Sequence, residues 1–553
     1  MSDHWPPTRP QIDPKSGFCA ETKTFHGLRP TVPLPSPSLP LSFTSFTFSF
    51  LPSPPHSHPA YIDASTGHAL SFPDLLSQVH SLSTHLLSRV SKGDVVLVLS
   101  PPGVDIPVLY FALLSIGAVV SPANPVSTSH EISHFISISK PSLAFATSST
   151  SGKLPPELPF ILLNSPDFRS LLEPLQNDYI GELNMKANRV VQQSDAAAIL
   201  YSSGTTGRVK GVVLTHRNLI ASLAPFVAAA RTRTTPAVLM MTIPLFHVYG
   251  FLFVLKTVAT RETAVVQTER FDARRTLRAV EQFRVTNLPL APPALLALVR
   301  IAEEGGLEWD MSSLQVVSCG GAPIGNDLIH RFLRVFPNVW FGQGYGLTES
   351  TSGCFRTDGQ EGTNYIGSVG RLVAGFEAKI VDPVTGVVLP PSSQGEIWIK
   401  GQQIMKGYAG DDKSTCEIID HQGWLKTGDV GFFNGDGFLF VVDRLKELIK
   451  CRGYQVPPAE LEDLLQTHRD IIEAAVVPYP NEEAGQVPIA FIVRRPGRDL
   501  NENQIKKFIS EKVAPYKRIH HVFFVDSIPK NHAGKILRRK LGELASLHMT
   551  SRL

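Results

Sequence analysis

A segment rich in hydroxyl groups and glycine, residues 201–211 (YSSGTTGRVKG), lies between two apolar runs at 196–200 and 212–214 that are typical of strands. Two glycines, four hydroxyls and a lysine within nine residues offer donors that can wrap phosphate oxygens. The spacing differs from that of a P-loop, because only two residues separate the glycines and Lys210 precedes a glycine. An isolated loop of this composition is more often a plain hairpin, but the full string favours a phosphate-binding loop.

Two further segments carry groups that suit the rest of a nucleotide. Residues 342–349 (GQGYGLTE) combine three glycines, which permit close backbone approach to a flat ligand, with the aromatic face of Tyr345. Thr348 and Glu349 end this segment with a hydroxyl and a carboxylate, which suit a Mg²⁺ ion that is itself held by phosphates. Residues 424–429 (WLKTGD) end in a loop carboxylate that could accept both hydroxyls of a ribose.

Two basic segments lie towards the C-terminus, at 443–455 (DRLKELIKCRGYQ) and 529–540 (PKNHAGKILRRK), where Lys535 follows a glycine. From Lys446 onward, 18 Lys and Arg face 13 Asp and Glu, a surplus of +5, whereas the totals of 52 and 49 leave 34 against 36 for the rest. Such runs are usually solvated charged faces. A basic module beside a neutral body nevertheless suits a small polyanionic ligand, and a nucleic-acid binder would show a far larger excess.

These five segments, in this order, resemble the adenylate-forming superfamily of acyl-CoA synthetases, luciferases and peptide-synthetase adenylation domains, from roughly residue 30 to 545. Within it, the chain is most similar to plant 4-coumarate–CoA ligases and their peroxisomal relatives, the 4-coumarate–CoA ligase-like proteins. That closer resemblance rests on residues 244–250 (PLFHVYG), 320–323 (GGAP) and 447–455 (ELIKCRGYQ).

The resemblance implies a two-step reaction that uses ATP, Mg²⁺ and coenzyme A. A carboxylate attacks the α-phosphorus of ATP and releases pyrophosphate, and a thiol then displaces AMP to give a thioester. Because an anion must approach a polyanion, fixed cationic donors should supply much of the rate. The residues implied to bind ATP or AMP are Ser202, Ser203, Gly204, Thr205, Thr206, Lys210, Gln343, Gly344, Thr348, Asp429, Arg444, Lys446, Lys450, Gln455 and Lys535.

Within that set, the resemblance gives separate roles to single residues. Glu349 would hold Mg²⁺, Asp429 with Arg444 would bind the ribose, and Lys535 would bridge the attacking carboxylate and the α-phosphate. The small domain would then swing about Lys446 to present another face for thioester formation. The implied catalytic residues are Lys535, Lys450, Gln455 and His247; the implied acyl-site residues are His247, Tyr249, Gly321, Gln343, Gly344 and Thr348; the implied CoA contacts are Arg270, Arg452 and Gly453.

The acyl group is the open question. Where 4-coumarate ligases have a Gly-Glu-Ile-Cys-Ile-Arg-Gly box, this chain has Trp398 for the cysteine and Lys400 for the arginine, and residues 208–209 (RV) stand where the family usually has Leu-Pro. These departures favour a medium- or long-chain acid, including cyclopentanone precursors of jasmonate. A peroxisomal coumarate-type ligase, a luciferase-like oxygenase and a non-catalytic nucleotide or acyl binder remain as alternatives.

The pattern of elements predicts an α/β protein. Strands and helices alternate from about residue 61 to 380, which indicates parallel sheets covered by helices, and short strands after 390 indicate a small β-barrel-like subdomain. We expect a Pro/Ser-rich arm without regular structure at 1–60, because 13 of the 44 prolines lie there, a large AMP-binding domain at 61–443 and a mobile α+β lid at 444–553.

Composition excludes several other classes. Five isolated cysteines argue against disulfides and structural zinc, and the longest apolar run, 106–120, is too short to span a membrane and predicts a buried βα unit. The final Ser551-Arg552-Leu553 is similar to the Ser-Lys-Leu peroxisomal signal, so we expect an import receptor as a partner and a peroxisomal location. We expect a monomer that binds a carboxylic acid, ATP and CoA, with no nucleic acid and no transmembrane segment.

Overall fold

The computed structural model describes residues 11–56, 58–174, 190–202, 209–305, 308–451, 454–481, 483–530 and 534–550. In chain order its strands are β1 Phe18–Cys19, β2 Thr24–His26, β3 Pro59–Asp63, β4 Ala69–Ser71, β5 Val95–Leu99, β6 Val119–Pro122, β7 Leu143–Ala146, β8 Phe160–Leu162, β9 Ala196–Ser202, β10 Lys210–Thr215, β11 Val238–Met241, β12 Thr263–Val266, β13 Asn287–Leu290, β14 Val316–Cys319, β15 Trp340–Gly346, β16 Gly353–Arg356, β17 Arg371–Leu372, β18 Phe376–Val381, β19 Val388–Leu389, β20 Gly395–Gly401, β21 Gly407–Tyr408, β22 Leu425–Phe433, β23 Leu439–Arg444, β24 Ile449–Cys451, β25 Tyr454–Val456, β26 Ile471–Asn481, β27 Gly485–Arg494 and β28 His521–Phe524.

The helices alternate with these strands over most of the chain. In chain order they are α1 Phe43–Phe48, α2 Phe72–Leu86, α3 Asp105–Ser115, α4 Ser129–Ser139, α5 Pro166–Leu171, α6 His216–Ala230, α7 Val248–Ala259, α8 Ala273–Gln282, α9 Pro292–Gly305, α10 Asn326–Val335, α11 Glu361–Asn364, α12 Asp412–Ile418, α13 Pro458–Gln466, α14 Glu502–Ser510 and α15 Arg538–Thr550. Short 3₁₀ turns lie at Ser151–Lys153, Thr348–Ser350 and Pro515–Lys517.

Two α/β sheets form most of the large domain. The first has the strand order β21-β10-β9-β6-β5-β7-β8, and the second has the order β17-β16-β15-β14-β13-β11-β12-β3-β4. Their central strands are parallel, as the alternating pattern predicted, whereas the β9–β10, β3–β4 and β15–β16 pairs are antiparallel. The largest hydrophobic cluster packs α2, α3, α6 and α7 against strands of both sheets, so one core positions the loops of the two.

The apolar run at 106–120 forms the buried βα unit that the sequence predicted. It covers α3, whose residues 106–114 are all buried, and continues into β6. Among the described residues, no helix combines the length and the apolar character that crossing a membrane requires.

The third sheet is antiparallel and contains β1, β2, β18, β19, β20, β22 and β23. It corresponds to the small subdomain predicted from the short strands after residue 390. The prediction that the N-terminal arm lacks regular structure was wrong, because β1 and β2 extend this sheet and α1 packs on the main core through Phe43 and Phe46. Each of these elements lies in an interval free of proline, and Ser42 caps α1 by accepting the Ser45 N–H.

The C-terminal part forms a separate small domain. Its sheet has the order β25-β24-β27-β26, with β28 beside β27, and α13 and α14 cover one face while α15 covers the other. The predicted α+β composition of this module is confirmed. The small domain touches the large one at Gly534, where an added Cβ would lie 2.4 Å from the Pro293 side chain, and at Asp443, whose carboxylate accepts the Ala459 N–H at 3.0 Å.

Candidate active site

The β9–β10 hairpin brings the predicted phosphate loop to the predicted metal-binding carboxylate. The register pairs Lys210 with Ser202 across the two strands. The Ser202 hydroxyl donates to Glu349 Oε1 at 3.0 Å, and the Tyr408 hydroxyl donates to the same oxygen at 2.8 Å. The Lys210 ammonium lies 4.6 Å above the Tyr408 ring. Of the predicted loop residues, Ser203, Gly204, Thr205 and Thr206 lie outside the described residues.

Glu349 is 8% exposed and sits on the 3₁₀ turn that follows β15. Its backbone carbonyl accepts the Met405 N–H at 2.9 Å, which ties the turn to the segment before β21. Thr351 ends the turn with a φ of 63°, an uncommon angle for a β-branched residue, and its buried hydroxyl donates to the Gln403 carbonyl. The position of Glu349 is therefore fixed by the buried backbone around it.

The residues at Glu349 fit a magnesium ion. A carboxylate with two hydroxyls beside it is an all-oxygen set, which is the donor chemistry that Mg²⁺ prefers. In the part of the chain that the structure describes, no three His, Cys, Asp or Glu side chains form a cluster that could hold a metal. A single carboxylate suits an ion whose other ligands are substrate phosphates and water.

Asp429 on β22 lies beside Tyr345 on β15 and Arg444 on β23. The Tyr345 hydroxyl donates to Asp429 Oδ2 at 2.6 Å, and the Arg444 Nε lies 3.5 Å from Oδ1. Burial raises the pKa of Asp429, while Arg444, Tyr345 and Lys535 act in the opposite direction. The flat ring predicted to face the nucleotide and the carboxylate predicted to bind its ribose are thus in direct contact.

A second carboxylate, Glu396, holds the backbone before Asp429, which lies within β22 because it pairs with Arg444 on β23, so the prediction of a loop carboxylate was wrong. Its two oxygens accept the Gly428 N–H at 3.1 Å and the Trp398 indole N–H at 2.7 Å. Trp398 in turn lies between Lys379 and Lys426, whose ammonium groups are 4.9 and 5.3 Å from its ring. Sequence reasoning missed Glu396, and its only signal was the position beside Gly395 in the box that contains Trp398.

Lys535 reaches the same part of the large domain from the small one. Burial lowers its pKa to about 8, assisted by Arg444 and Lys446, while Glu447 and Asp429 act in the opposite direction. These couplings place the Lys535 ammonium in the electrostatic field of the Asp429–Arg444 pair. The structure therefore brings the predicted catalytic lysine to the predicted nucleotide site.

Arg538 anchors the segment that carries Lys535. Its guanidinium binds Glu447 at 2.8 Å through Nε, forms a bidentate pair with Glu462 and donates to the Val476 carbonyl at 2.8 Å. Glu462 also accepts the Val476 N–H at 2.7 Å, so every charged group of this buried network has a partner. The network links α15, α13 and the connector after β23, and it fixes the base of the Lys535 loop.

The predicted acyl-site residues cluster at the ends of β14 and β15. His247 caps α7 by accepting the Tyr249 N–H at 3.3 Å, and burial lowers its pKa, which favours a neutral ring. The Tyr249 hydroxyl lies 3.4 Å from Ser318 Oγ. A Cβ added to Gly320 would lie 3.2 Å from the Gly344 carbonyl oxygen and 3.8 Å from the Tyr249 ring.

Two more predicted residues extend this cluster. Gly321 has a φ of 86° and nothing within 4 Å of an added Cβ, so it faces open space. Gln343 is buried on β15, where its N–H donates to Thr357 Oγ1 at 2.8 Å, and it lies one residue before Gly344. Thr348 lies on the turn that also carries Glu349, so the phosphate and acyl residues share one seam.

The residues predicted for the second step lie elsewhere in this arrangement. Lys450 is exposed on β24, where its backbone pairs with Gln455, and its N–H donates to Gln486 at 2.9 Å. Arg270 is exposed between β12 and α8, and Arg452 and Gly453 are outside the described residues.

A family model decides the classification. The AMP-binding enzyme model matches residues 52–409, and the model of the AMP-binding enzyme C-terminal domain matches residues 460–535. The chain belongs to the AMP-binding enzyme family. The predicted membership of the adenylate-forming superfamily is confirmed.

Relatives of this AMP-binding enzyme are named CoA ligases. It is 47% identical over 553 residues to 4-coumarate–CoA ligase-like 9 of Arabidopsis thaliana, with 97% of each chain covered. It is 42% identical over 547 residues to peroxisomal OPC-8:0-CoA ligase 1 of Arabidopsis thaliana, covering 97% of this chain and 98% of that one. The AMP-binding enzyme is therefore an acid–CoA ligase that acts on ATP and CoA.

The fold of the AMP-binding enzyme matches solved structures of the same architecture. It is similar to o-succinylbenzoate CoA synthetase of Bacillus subtilis in complex with the acyl-adenylate intermediate OSB-AMP, with a TM-score of 0.78, 25% identity, and 90% of this chain and 97% of that one covered. It is also similar to ATP-bound MatB of Rhodopseudomonas palustris, with a TM-score of 0.77, 25% identity, and 91% and 98% covered. The predicted fold class, a large α/β domain followed by a small one, is confirmed.

Proposed function

We propose that this acid–CoA ligase activates a medium- or long-chain carboxylic acid, including cyclopentanone precursors of jasmonate, in the peroxisome. The observation that carries the proposed mechanism is the close approach of Gly534, the neighbour of Lys535, to Pro293, which brings this lid segment against the large domain that holds Asp429. It supports a site in which the ribose lies against Asp429 and Tyr345 while the lysine reaches the phosphates from the lid.

In the first step, the chain's own residues would fix both reactants and offset their repulsion. Lys210 and the hydroxyls of Ser202 and the adjoining loop would hold the β- and γ-phosphates, and Thr348 would contact the α-phosphate. Lys535, as an ammonium, would stabilise negative charge on the α-phosphate while the carboxylate attacks in line. Mg²⁺ held at Glu349 would neutralise part of the charge on the phosphate oxygens.

In the second step, the lid would turn about Lys446 and withdraw Lys535. The contact of Asp443 with Ala459 and that of Gly534 with Pro293 join the two domains here, so both would have to break during such a turn. Lys450, which is exposed on β24, and Gln455, its partner on β25, would replace them at the adenylate. Arg270, Arg452 and Gly453 would then meet the phosphates of CoA.

The proposed acyl class rests on the open space beside Gly321 and on the relative named OPC-8:0-CoA ligase. The contacts of Trp398 change one part of the sequence argument. This tryptophan touches Glu396 and two lysines near Asp429, so its replacement of cysteine bears on the nucleotide side rather than on the acyl residues. The second candidate is a coumarate-type ligase, which is favoured by the name of the 47% identical relative.

An acid panel tests the proposal. ATP- and CoA-dependent AMP formation is measured with purified enzyme and straight-chain acids from hexanoic to stearic acid, a cyclopentanone alkanoic acid and hydroxycinnamic acids. We expect the highest kcat/KM with an aliphatic or cyclopentanone acid, and a higher value with 4-coumarate would establish the second candidate. Light or oxygen uptake from acyl-adenylate would indicate a luciferase-like oxygenase, and no pyrophosphate release with any acid would refute the ligase mechanism.

The proposed location is tested separately. The final Ser551-Arg552-Leu553 is outside the described residues, and support comes from its likeness to a peroxisomal signal and from a relative with a peroxisomal name. We expect a fluorescent protein fused to the N-terminus of the full chain to enter peroxisomes. The same fusion without these three residues should stay in the cytosol, and import of both forms would contradict a role for the tail.

A further inference from the structure

Three half-buried aromatic rings extend away from the proposed acyl site. Tyr249 and Phe253 lie one turn apart on α7 with centroids 4.6 Å apart, and Phe253 lies 5.5 Å from Phe226 on α6. Each ring keeps part of its surface accessible although the two helices contribute to the main core. A Cβ added to Gly320 would lie close to both the Gly344 carbonyl oxygen and the Tyr249 ring, so this row of rings begins beside the proposed acyl site.

Arg356 lies at the far end of this row of rings, Tyr249, Phe253 and Phe226, which together form the aromatic channel of the proposed acyl site. It lies on β16 directly opposite Gly344 on β15, so its side chain leaves the sheet on the face that Gly344 leaves open. Its guanidinium carbon is 5.2 Å from the Phe226 ring. The channel therefore runs from the seam of the active site to a fixed cation.

The guanidinium of Arg356 has spare donor capacity. Its Nε is inaccessible and makes no hydrogen bond among the described residues. The nearest carboxylate, Asp358, lies 3.3 Å from that Nε, but the same carboxylate binds Arg29. Two arginines thus share one partly exposed acid, and a guanidinium carries five N–H donors.

The charge behind the rings does not supply the missing acceptor. Lys256 lies 5.6 and 5.4 Å from the Phe226 and Phe253 rings, and it shares Glu262 with Arg233. Glu262 is 1% exposed, and its two oxygens are each paired with one of these cations. The neighbouring cations Arg29, Arg233 and Lys256 are matched by Asp358, Glu361 and Glu262, so Arg356 adds a positive charge to a balanced cluster, which favours an oxygen acceptor from outside the protein.

We propose that Arg356 determines the specificity of the ligase by binding an oxygen acceptor, a ketone or a second carboxylate, at the distal end of an aliphatic acid. This inference rests on the proposed function, because it assigns the reacting carboxylate to the seam at Gly344 and the distal group to the end of the aromatic channel. A plain fatty acid would fill the channel but leave the guanidinium without an acceptor, and such a site rejects the analogue that lacks the polar group.

The experiment compares three acids of equal length: nonanoic acid, its analogue with a ketone next to the terminal carbon, and azelaic acid. Adenylation is measured as pyrophosphate release by the wild-type enzyme and by Arg356→Leu, Arg356→Lys and Arg371→Leu. Arg371 is a matched control, because it is paired with Arg356 across β16 and β17, also has an Nε without a hydrogen bond, and stacks on Phe438 at 4.5 Å instead of on Phe226.

We expect wild-type kcat/KM to be about tenfold higher for the ketone or the diacid than for nonanoic acid. Arg356→Leu should abolish this preference while keeping activity with nonanoic acid, Arg356→Lys should keep part of it, and Arg371→Leu should keep all of it. The better of the two oxygenated acids identifies the acceptor as neutral or anionic. Equal effects of Arg356→Leu on all three acids, or an unchanged preference, would overturn the inference.

Failure of the proposed function would look different. If the wild-type enzyme activates no acid, the ligase mechanism fails, and isothermal titration of the three acids into wild-type and Arg356→Leu enzyme with AMP present then tests the subsite by itself. Tighter binding of an oxygenated acid to the wild-type enzyme only would support the role of Arg356. Equal binding of that acid to both proteins would refute it.

Discussion

Replacing Glu396 by glutamine tests how the nucleotide site is held in place. The carboxylate is 8% exposed and accepts one N–H on each oxygen, from Gly428 and from Trp398. Gly428 directly precedes Asp429, and its carbonyl accepts the Leu445 N–H at 2.8 Å at the start of the connector. A shift of this part of β22 would therefore move the proposed ribose carboxylate while leaving the acyl residues on β14 and β15 in place.

The size of the effect follows from the hydrogen bonds. Glutamine keeps the shape of the side chain but offers one oxygen, so one of the two N–H donors would face an amide NH₂ group. A buried donor without an acceptor costs about 1–3 kcal/mol, which is roughly a fivefold to 150-fold change in an equilibrium constant. We expect the KM for ATP to rise about tenfold, because part of the cost is relieved by small movements, and the KM for the acid to stay within about twofold.

Pyrophosphate release, measured against ATP and acid concentration separately, gives the two KM values. Trp398→Phe removes only the indole N–H and should raise the KM for ATP by a smaller factor than Glu396→Gln. Trp424→Phe is the control, since that ring also lies near Lys379, at 4.2 Å, but does not bond to Glu396. An equal rise in both KM values, or a KM for ATP that does not change, would refute this account of Glu396.

Three further predictions concern the joint and the lid. Burial raises the pKa of Asp443 to about 6, so ionisation of this carboxyl should destabilise the fold as pH rises from about 4 to about 7. Because Asp443→Asn has no such ionisation, its free energy of unfolding in urea should rise relative to that of the wild type by up to about 3 kcal/mol over this range. A difference that does not change with pH would contradict this prediction. Gly534 has a φ of 79°, and an added Cβ would lie 2.4 Å from Pro293, so Gly534→Ala should slow adenylation more than thioester formation. The control Gly497→Ala, at a φ of 73° but with open space around the Cβ, should change neither rate. Equal slowing of both steps by Gly534→Ala would contradict a role of this contact in the first step. Because burial lowers the pKa of Lys535 to about 8, kcat/KM for ATP should fall as pH rises through about 8. Lys535→Arg should move that fall to higher pH. Identical pH profiles of kcat/KM for the two enzymes would argue against titration of this lysine.

Local sequence signals predicted much of the fold. The apolar runs beside the hydroxyl-rich loop became β9 and β10, the run at 106–120 became α3 and β6, and the small domain has the predicted α+β composition. These elements follow from hydrophobic periodicity over short windows. The error in the N-terminal arm has the opposite cause, because β1, β2 and α1 gain their stability from pairing and packing with distant residues, which overrides the high proline content around them.

The site was predictable as a set of residues but not as a set of contacts. The glycine-rich and hydroxyl-rich segments indicated a nucleotide-binding site. Glu349 accepts a hydrogen bond from Ser202, as expected if one residue holds Mg²⁺ and the other the phosphates. The contact of Tyr345 with Asp429 spans 84 residues of sequence and depends on how two sheets meet. Arg356 gave no signal and Glu396 only its position beside Gly395, since a single charged residue in a strand is most often a solvated one, and the fold is needed to show what each contacts.

The half-reactions of Lys535→Ala test the central claim most directly. Adenylation is followed as pyrophosphate release with ATP and acid, and thioester formation is followed as acyl-CoA produced from supplied acyl-adenylate and CoA. The segment of Lys535 packs against the large domain through Gly534 and Pro293, and the field of Asp429 and Arg444 acts on its ammonium, so that ammonium should act on the α-phosphate in the first step only. We predict a loss of adenylation of at least about 100-fold with thioester formation largely intact. Equal loss of both half-reactions, or adenylation at the wild-type rate, would contradict the mechanism.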